Sequence, residues 1–226
     1  MKKILLIAII TISIFITGCG KEETKEIKED LLKIDYNIEE NETKLDKYDT
    51  KNPLVAMYIK NYGSIVIELY PDIAPNTVNN FISLVRDGFY DDNTMHRLVP
   101  GFVLQGGDPT GTGTGGPGYS IKGEFSSNDF ENDLKHEEKI VSMARSQDPD
   151  SAGSQFFIML GEAPHLDGDY AAFGKVIDGW DNVLNITENE MVADQATGQL
   201  TNNLTIKKAL IDLKDYEYKE VEKIEE

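Results

Sequence analysis

The residues best suited to chemistry fall in three segments. The first is His96-Arg97-Leu98-Val99-Pro100-Gly101-Phe102-Val103-Leu104-Gln105-Gly106-Gly107-Asp108, the second Gly153-Ser154-Gln155-Phe156-Phe157-Ile158, and the third Leu166-Asp167-Gly168 running on to Phe173-Gly174. Arg97 brings a guanidinium that stays charged at any working pH and presents a planar fork of donors, where lysine would offer a mobile point charge. Such a group suits electrostatic stabilisation of a transition state. His96 lies beside Arg97, with Ser154 and Asp108 in the same segments, but no serine occupies a Gly-x-Ser-x-Gly elbow, so His96 reads as structural. His136, among Lys135, Glu137 and Glu138, is expected to be solvent-exposed. Three histidines and one cysteine assemble no zinc constellation. The glycines from Gly106 to Gly118 lack the Lys-Ser or Lys-Thr that follows a phosphate cradle and read as a loop. Asp148, Asp150, Asp167 and Asp169 lie in turn-like segments that do not continue into a calcium loop closed by glutamate, which leaves calcium a minor alternative.

In order and approximate spacing, the three segments resemble the signature of the cyclophilins, over about Met57 to Leu213. The resemblance implies a mainly β fold, a closed eight-stranded antiparallel barrel capped by two helices, that binds an extended Xaa-Pro peptide in an outer groove. It implies peptidyl-prolyl cis-trans isomerase activity and no cofactor. By motif position, Arg97, Phe102 and Gln105 correspond to catalytic residues, and Val103, Ala144, Gln155, Phe157, His165, Leu166 and Tyr170 to the substrate groove. The peptide C–N bond resists rotation by about 18–20 kcal/mol, so a catalyst must favour the twisted state that loses amide delocalisation. Arg97 would supply a fixed cation, and Phe102, Phe157 and Leu166 a seat for the proline ring with Val103 as its wall. Gln105 and Gln155 would hold substrate backbone or orient Arg97. Singly, these Phe and Leu residues would be read as core; Val103 and Ala144 suit lining and packing equally.

Two positions and one loop depart from the family pattern. His165 stands where many members have tryptophan, Tyr170 where eukaryotic members commonly have histidine, and Arg145-Ser146-Gln147-Asp148 replaces an Asn-Ala-Gly-Pro type loop. The smaller apolar area of His165 predicts weakened inhibition by cyclosporin with isomerase activity retained. A rival reading is a binding module, in which a cyclophilin-like groove serves as scaffold, chaperone or adhesin and turnover is incidental.

The elements that must position these residues are mostly short strands. Met57 to Lys60 and Ser64 to Tyr70 flank Asn61-Tyr62-Gly63 as a hairpin, and Pro75 opens an amphipathic helix carrying Val78, Phe81, Ile82 and Val85 that ends at Gly88. Further strands are predicted near Thr94 to Arg97, Phe102 to Gln105, Ile140 to Ala144, Gln155 to Leu160, Ala172 to Ile177 and Leu204 to Leu213, with a second helix from Trp180 to about Glu190. Closing such strands into a barrel would remove exposed edges.

The ends suggest where the domain works. Lys2 and Lys3 precede an apolar run from Ile4 to Ile16 and then Thr17-Gly18-Cys19, the pattern of an export signal too short to span a bilayer comfortably. Ile16-Thr17-Gly18-Cys19 resembles the lipobox of bacterial lipoproteins, which implies diacylglycerol on Cys19, cleavage after Gly18 and a cell-membrane anchor on the extracytoplasmic face. The expected organisation is a signal over residues 1–18, a lipidated cysteine and charged tether over 19–52, the isomerase domain over 53–215 and a charged tail over 216–226. A formal charge of −18 opposes nucleic acid and anionic lipid. The partners expected are proline-containing exported polypeptides and the membrane reached through Cys19, with the protein itself a monomer.

Overall fold

The computed structural model describes residues 44–225. The predicted signal, Cys19 and most of the predicted tether lie outside the described residues. Eight strands run β1 (Leu54–Ile59), β2 (Gly63–Leu69), β3 (Thr94–Val99), β4 (Val103–Asp108), β6 (Ile140–Met143), β7 (Phe156–Met159), β8 (Ala172–Asp178) and β10 (Gln199–Asp212). They pair antiparallel in the order β1-β2-β8-β6-β7-β4-β3-β10, and β10 pairs back onto β1 to close a barrel. β9 (Val192–Asp194) extends the sheet beyond β10, while β5 (Tyr119–Ser120) pairs separately with β11 (Ile224–Glu225). Two helices, α1 (Pro75–Arg86) and α2 (Trp180–Asn189), complete the fold.

Strand alternation and helix periodicity direct one apolar set inward. From β1 and β2, Val55, Met57, Ile65 and Ile67 join the core, and α1 adds Val78, Phe81, Ile82 and Val85 from one face. Phe81 lies 5.4 Å from Phe156 edge-on, 5.0 Å from Phe173 and 5.1 Å from Tyr90, measured between ring centroids. Fully burying a large apolar side chain contributes roughly 1.5–3 kcal/mol, so this aromatic cluster fixes the helix firmly to the barrel. Pro75 supplies a preset φ at the start of α1, and the buried Glu124 carboxylate accepts from the Asn76 and Thr77 N–H groups at 3.0 and 2.7 Å. The same helix and the turn after it reach toward the second motif: Asn80 Nδ2 donates to the Gly153 carbonyl at 2.7 Å, and the buried hydroxyl of Tyr90, in that turn, donates to the Ser154 carbonyl at 2.9 Å.

The packed unit is wider than the predicted 53–215. On the N-terminal side Leu45 is buried and its carbonyl accepts from Lys214 Nζ at 2.8 Å, while Thr50 and Asn52 both donate to Glu68. On the C-terminal side the segment read as a charged tail lies along α1. Tyr216 Oη and the Lys219 N–H both donate to Asn79 Oδ1, and Asn76 exchanges two hydrogen bonds with the Glu222 backbone. Arg86 covers the Tyr218 ring, and Val221 is buried. The tail's charged residues are exposed, and it docks through Tyr216, Tyr218 and Val221, through the Lys219 and Glu222 backbone and through Lys223 over the Tyr119 ring, so composition alone masked the packing. Among the described residues, no helix is long and apolar enough to cross a membrane.

Candidate active site

β3 and β4 set Arg97 directly opposite Gln105. Met95 and Leu98 turn into the core, leaving Arg97 half-buried on the outer face of the barrel. Arg97 Nη1 donates to Gln105 Oε1 at 3.1 Å, Gln105 Nε2 to Gln155 Oε1 at 3.0 Å, and Gln155 Nε2 to the Gly115 carbonyl at 2.9 Å. On its other side Arg97 Nε donates to the Thr197 carbonyl at 2.7 Å. The guanidinium is thus held from both sides by neutral oxygens, which orient it without neutralising its charge. Burial lowers its pKa from the ordinary arginine value, and Tyr170 acts weakly in the opposite sense.

The Thr197 carbonyl is delivered by the hairpin joining β9 and β10. Gly198 has φ +78°, and a Cβ there would stand 2.6 Å from Val99 Cγ2 and 2.9 Å from the Leu98 carbonyl oxygen. Only glycine combines that backbone conformation with that approach. Its carbonyl accepts from the Leu98 N–H at 2.8 Å, which locks the hairpin beside the arginine.

Beside this polar row lies an apolar cluster separate from the barrel interior. Val103, Phe157 and Leu166 are buried in it, with Phe102, Ala144 and Tyr170 packed around them. The exposed His165 stacks on Phe102 with ring centroids 5.8 Å apart, and Phe157 meets Tyr170 edge-on at 5.9 Å. Next to Gln105 and Gln155 opens a cavity of about 530 Å³, walled by the loop from Gly113 to Pro117, by Tyr119 and Ser120, and by Arg145 to Ser151. The glycine-rich loop is pinned by Asp108, which is fully buried. Its carboxylate accepts from the N–H groups of Thr110, Thr112 and Gly113 at 2.7, 3.1 and 2.6 Å and from the Thr110 hydroxyl at 2.8 Å. Burial pushes the Asp108 carboxyl up, but the N–H groups of Gly115, Thr110 and Gly113 outweigh it and bring the pKa down to about 2.

A cation held beside an apolar seat and a peptide-sized groove is an arrangement for binding and polarising a peptide. Residues 54–211 match the family described as Cyclophilin type peptidyl-prolyl cis-trans isomerase/CLD. The chain belongs to the cyclophilin family. It is similar to peptidyl-prolyl cis-trans isomerase B of Bacillus subtilis, with 46% identity over 136 residues covering 60% of this chain and 92% of the relative. A Helicobacter pylori peptidyl-prolyl cis-trans isomerase is 43% identical over 141 residues, covering 62% of this chain and 79% of its own. Among solved structures, a cyclophilin type peptidyl-prolyl cis-trans isomerase of Cryptosporidium parvum, crystallised in the presence of the dipeptide Ala-Pro, aligns with a TM-score of 0.61. It is 36% identical and the alignment covers 70% of this chain and 98% of that one. This cyclophilin is therefore an isomerase of the Xaa-Pro peptide bond, on the closed barrel the sequence led us to expect.

All ten groove residues predicted from the motifs of this cyclophilin fall on one outer face. Arg97, Gln105 and Gln155 are joined by hydrogen bonds, while Phe102, Val103, Ala144, Phe157, Leu166 and Tyr170 form the apolar cluster with His165 against its rim. Cys19 lies outside the described residues. The sequence reading passed over the Thr197 carbonyl, which carries no side-chain signal, and noted Arg145 only as part of a departing loop; its guanidinium lies over both the Tyr170 and Phe125 rings while its Nε donates to the Asp169 carbonyl. His96 is buried, and among the described residues neither ring nitrogen has a hydrogen-bond partner. The expectation for His136 was wrong. It is 1% exposed, because Asp167 and the Ser142 hydroxyl on the strand that follows satisfy the imidazole, whereas its charged neighbours Lys135, Glu137 and Glu138 are exposed.

Proposed function

We propose that this cyclophilin isomerises Xaa-Pro bonds in exported polypeptides at the extracytoplasmic face of a membrane, anchored as a monomer through lipid on Cys19. It accelerates rotation by electrostatic stabilisation alone. The observation that carries the mechanism is Arg97, held between Thr197 and Gln105 by neutral acceptors beside an apolar seat. With the proline ring seated among Phe102, Phe157 and Leu166, the guanidinium can approach the imide. As the C–N bond twists, the nitrogen lone pair ceases to be delocalised, and a donor placed on it favours the twisted state over either planar isomer. No bond to the enzyme forms and no proton is transferred. The location rests on the sequence: the apolar run before Ile16-Thr17-Gly18-Cys19 and the charged residues after it. Since uncatalysed isomerisation takes tens to hundreds of seconds, a tethered isomerase would act on clients while they fold.

Two measurements test this reading. Exchange spectroscopy of an Ala-Pro peptide with the full chain should give an isomerisation rate nearly flat from about pH 6 to 8, since arginine does not titrate there. A bell-shaped profile would sink the proton-free mechanism. Cells expressing the full chain with labelled palmitate should incorporate label that is lost in Cys19→Ala; label retained in that variant refutes the anchor.

A further inference from the structure

We propose that His136, acting with Asp167 and Ser142, is a positioning residue for the proline seat, holding the turn that carries His165 and Leu166 against the strand that carries Phe157. The inference rests on the isomerase reading of the groove and adds a residue to it.

The backbone of His136 takes both ends of that turn. Its N–H donates to Asp167 Oδ1 at 2.8 Å, and its carbonyl accepts from the Ala163 N–H at 2.9 Å. The imidazole makes two further contacts, Nδ1 to Asp167 Oδ1 at 3.0 Å and Nε2 to Ser142 Oγ at 3.0 Å. An ionised carboxylate can only accept, so Nδ1 carries the proton, and Nε2 is left to accept from the serine hydroxyl. A neutral imidazole in a single tautomer satisfies both partners. Burial, with His165 and Lys135 acting in the same sense, keeps the histidine below its ordinary pKa despite the pull of Asp167.

Ser142 lies on β6 directly opposite Phe157 on β7. The imidazole stacks on the Phe157 ring at 6.1 Å, with 24° between the planes, and meets Tyr170 edge-on at 6.4 Å. One buried side chain therefore supports Phe157 and Tyr170 by contact, and Leu166 through the residue that follows it. Because His136 is buried, it acts on a peptide only through those three. Precision of this kind matters, since a misplacement of about 1 Å in a supporting shell can cost about a hundredfold in rate or binding.

The test measures kcat and KM for an Ala-Pro tetrapeptide by exchange spectroscopy, and its Kd by titration, on the full chain and three variants. His136→Phe keeps an aromatic ring for the stack, in a somewhat larger side chain, but loses both side-chain hydrogen bonds. Ser142→Ala removes one hydroxyl, and Asp167→Asn keeps an accepting oxygen. We expect His136→Phe to raise KM and Kd about tenfold and Ser142→Ala about threefold, with kcat within about twofold and Asp167→Asn close to the parent, because a loosened seat weakens ground and transition states alike. A folded His136→Phe protein with unchanged KM and Kd overturns the proposal, as does a fall confined to kcat. Should His136→Phe fail to fold, Ser142→Ala decides by the same readout. Absence of turnover in the parent chain would refute the isomerase reading, while the Kd series would still read the seat.

Discussion

Asp108 offers a quantitative test of how the groove's outer wall is held. Its buried carboxylate gathers the N–H groups of the glycine-rich loop, and its pKa of about 2 lies roughly two units below that of an unfolded aspartate. A group whose folded pKa is depressed contributes stability that is complete above the unfolded pKa and is lost as pH falls toward the folded one. At about 1.4 kcal/mol per unit, ionised Asp108 contributes about 2–3 kcal/mol at pH 7, and about half of that at pH 3. Asp108→Asn preserves shape and one accepting oxygen but removes the titration. Urea denaturation of both proteins at pH 7 and pH 3 should therefore find the parent more stable by about 2–3 kcal/mol at the first pH and by roughly half as much at the second. The difference between the two proteins isolates Asp108 from the other carboxylates titrating in this range. A gap that is the same at both pH values would refute the argument that the hydrogen-bonded charge holds the loop.

Gly198→Val would drive a side chain into Val99 and the Leu98 carbonyl from a positive-φ position and shift the Thr197 carbonyl away from Arg97. Isomerase kcat should then fall about tenfold while peptide Kd changes by less than about threefold, read by exchange and titration; a KM effect alone would contradict the role given to that hairpin. Deleting residues 216–226 removes the Asn76 and Asn79 contacts and the β5–β11 pairing, so thermal denaturation should show Tm lower by several degrees, about 2–4 °C per kcal/mol lost in a domain of this size. An unchanged Tm would mean that the docked segment adds nothing to stability. Cyclosporin should inhibit the purified domain only weakly, because His165, stacked on Phe102, offers less apolar surface than tryptophan; nanomolar inhibition in the same exchange assay would overturn that expectation.

The features that were legible in the sequence are those whose determinants are local. Asn61 at φ 71° and Gly63 at φ 96° make the tight turn between β1 and β2, and the helical spacing of Val78, Phe81, Ile82 and Val85 placed α1. Most of the residues that share the groove face sit in long contiguous motifs, which is how they could be picked out together. Other features depend on partners remote in the chain. β10 begins at Gln199, five residues before the predicted Leu204, because Gln199 pairs with Arg97 while the polar run around it carries no strand signal. β5 and β11 are two residues each and form only by meeting across about a hundred residues of chain. His136 lay hidden for a related reason: its local surroundings are charged, and its burial is made tolerable by Asp167, 31 residues away, together with Ser142 on the next strand.

The central claim concerns Arg97, and Arg97→Ala tests it most directly. Exchange spectroscopy on an Ala-Pro peptide, with peptide affinity measured alongside and the fold checked by circular dichroism, reads the interconversion itself. The account predicts a folded variant that still binds peptide in the Phe102, Phe157 and Leu166 seat but isomerises it about 10²-fold more slowly, the loss typical of removing a preorganised electrostatic donor. A folded Arg97→Ala variant with a rate within about threefold of the parent would contradict it.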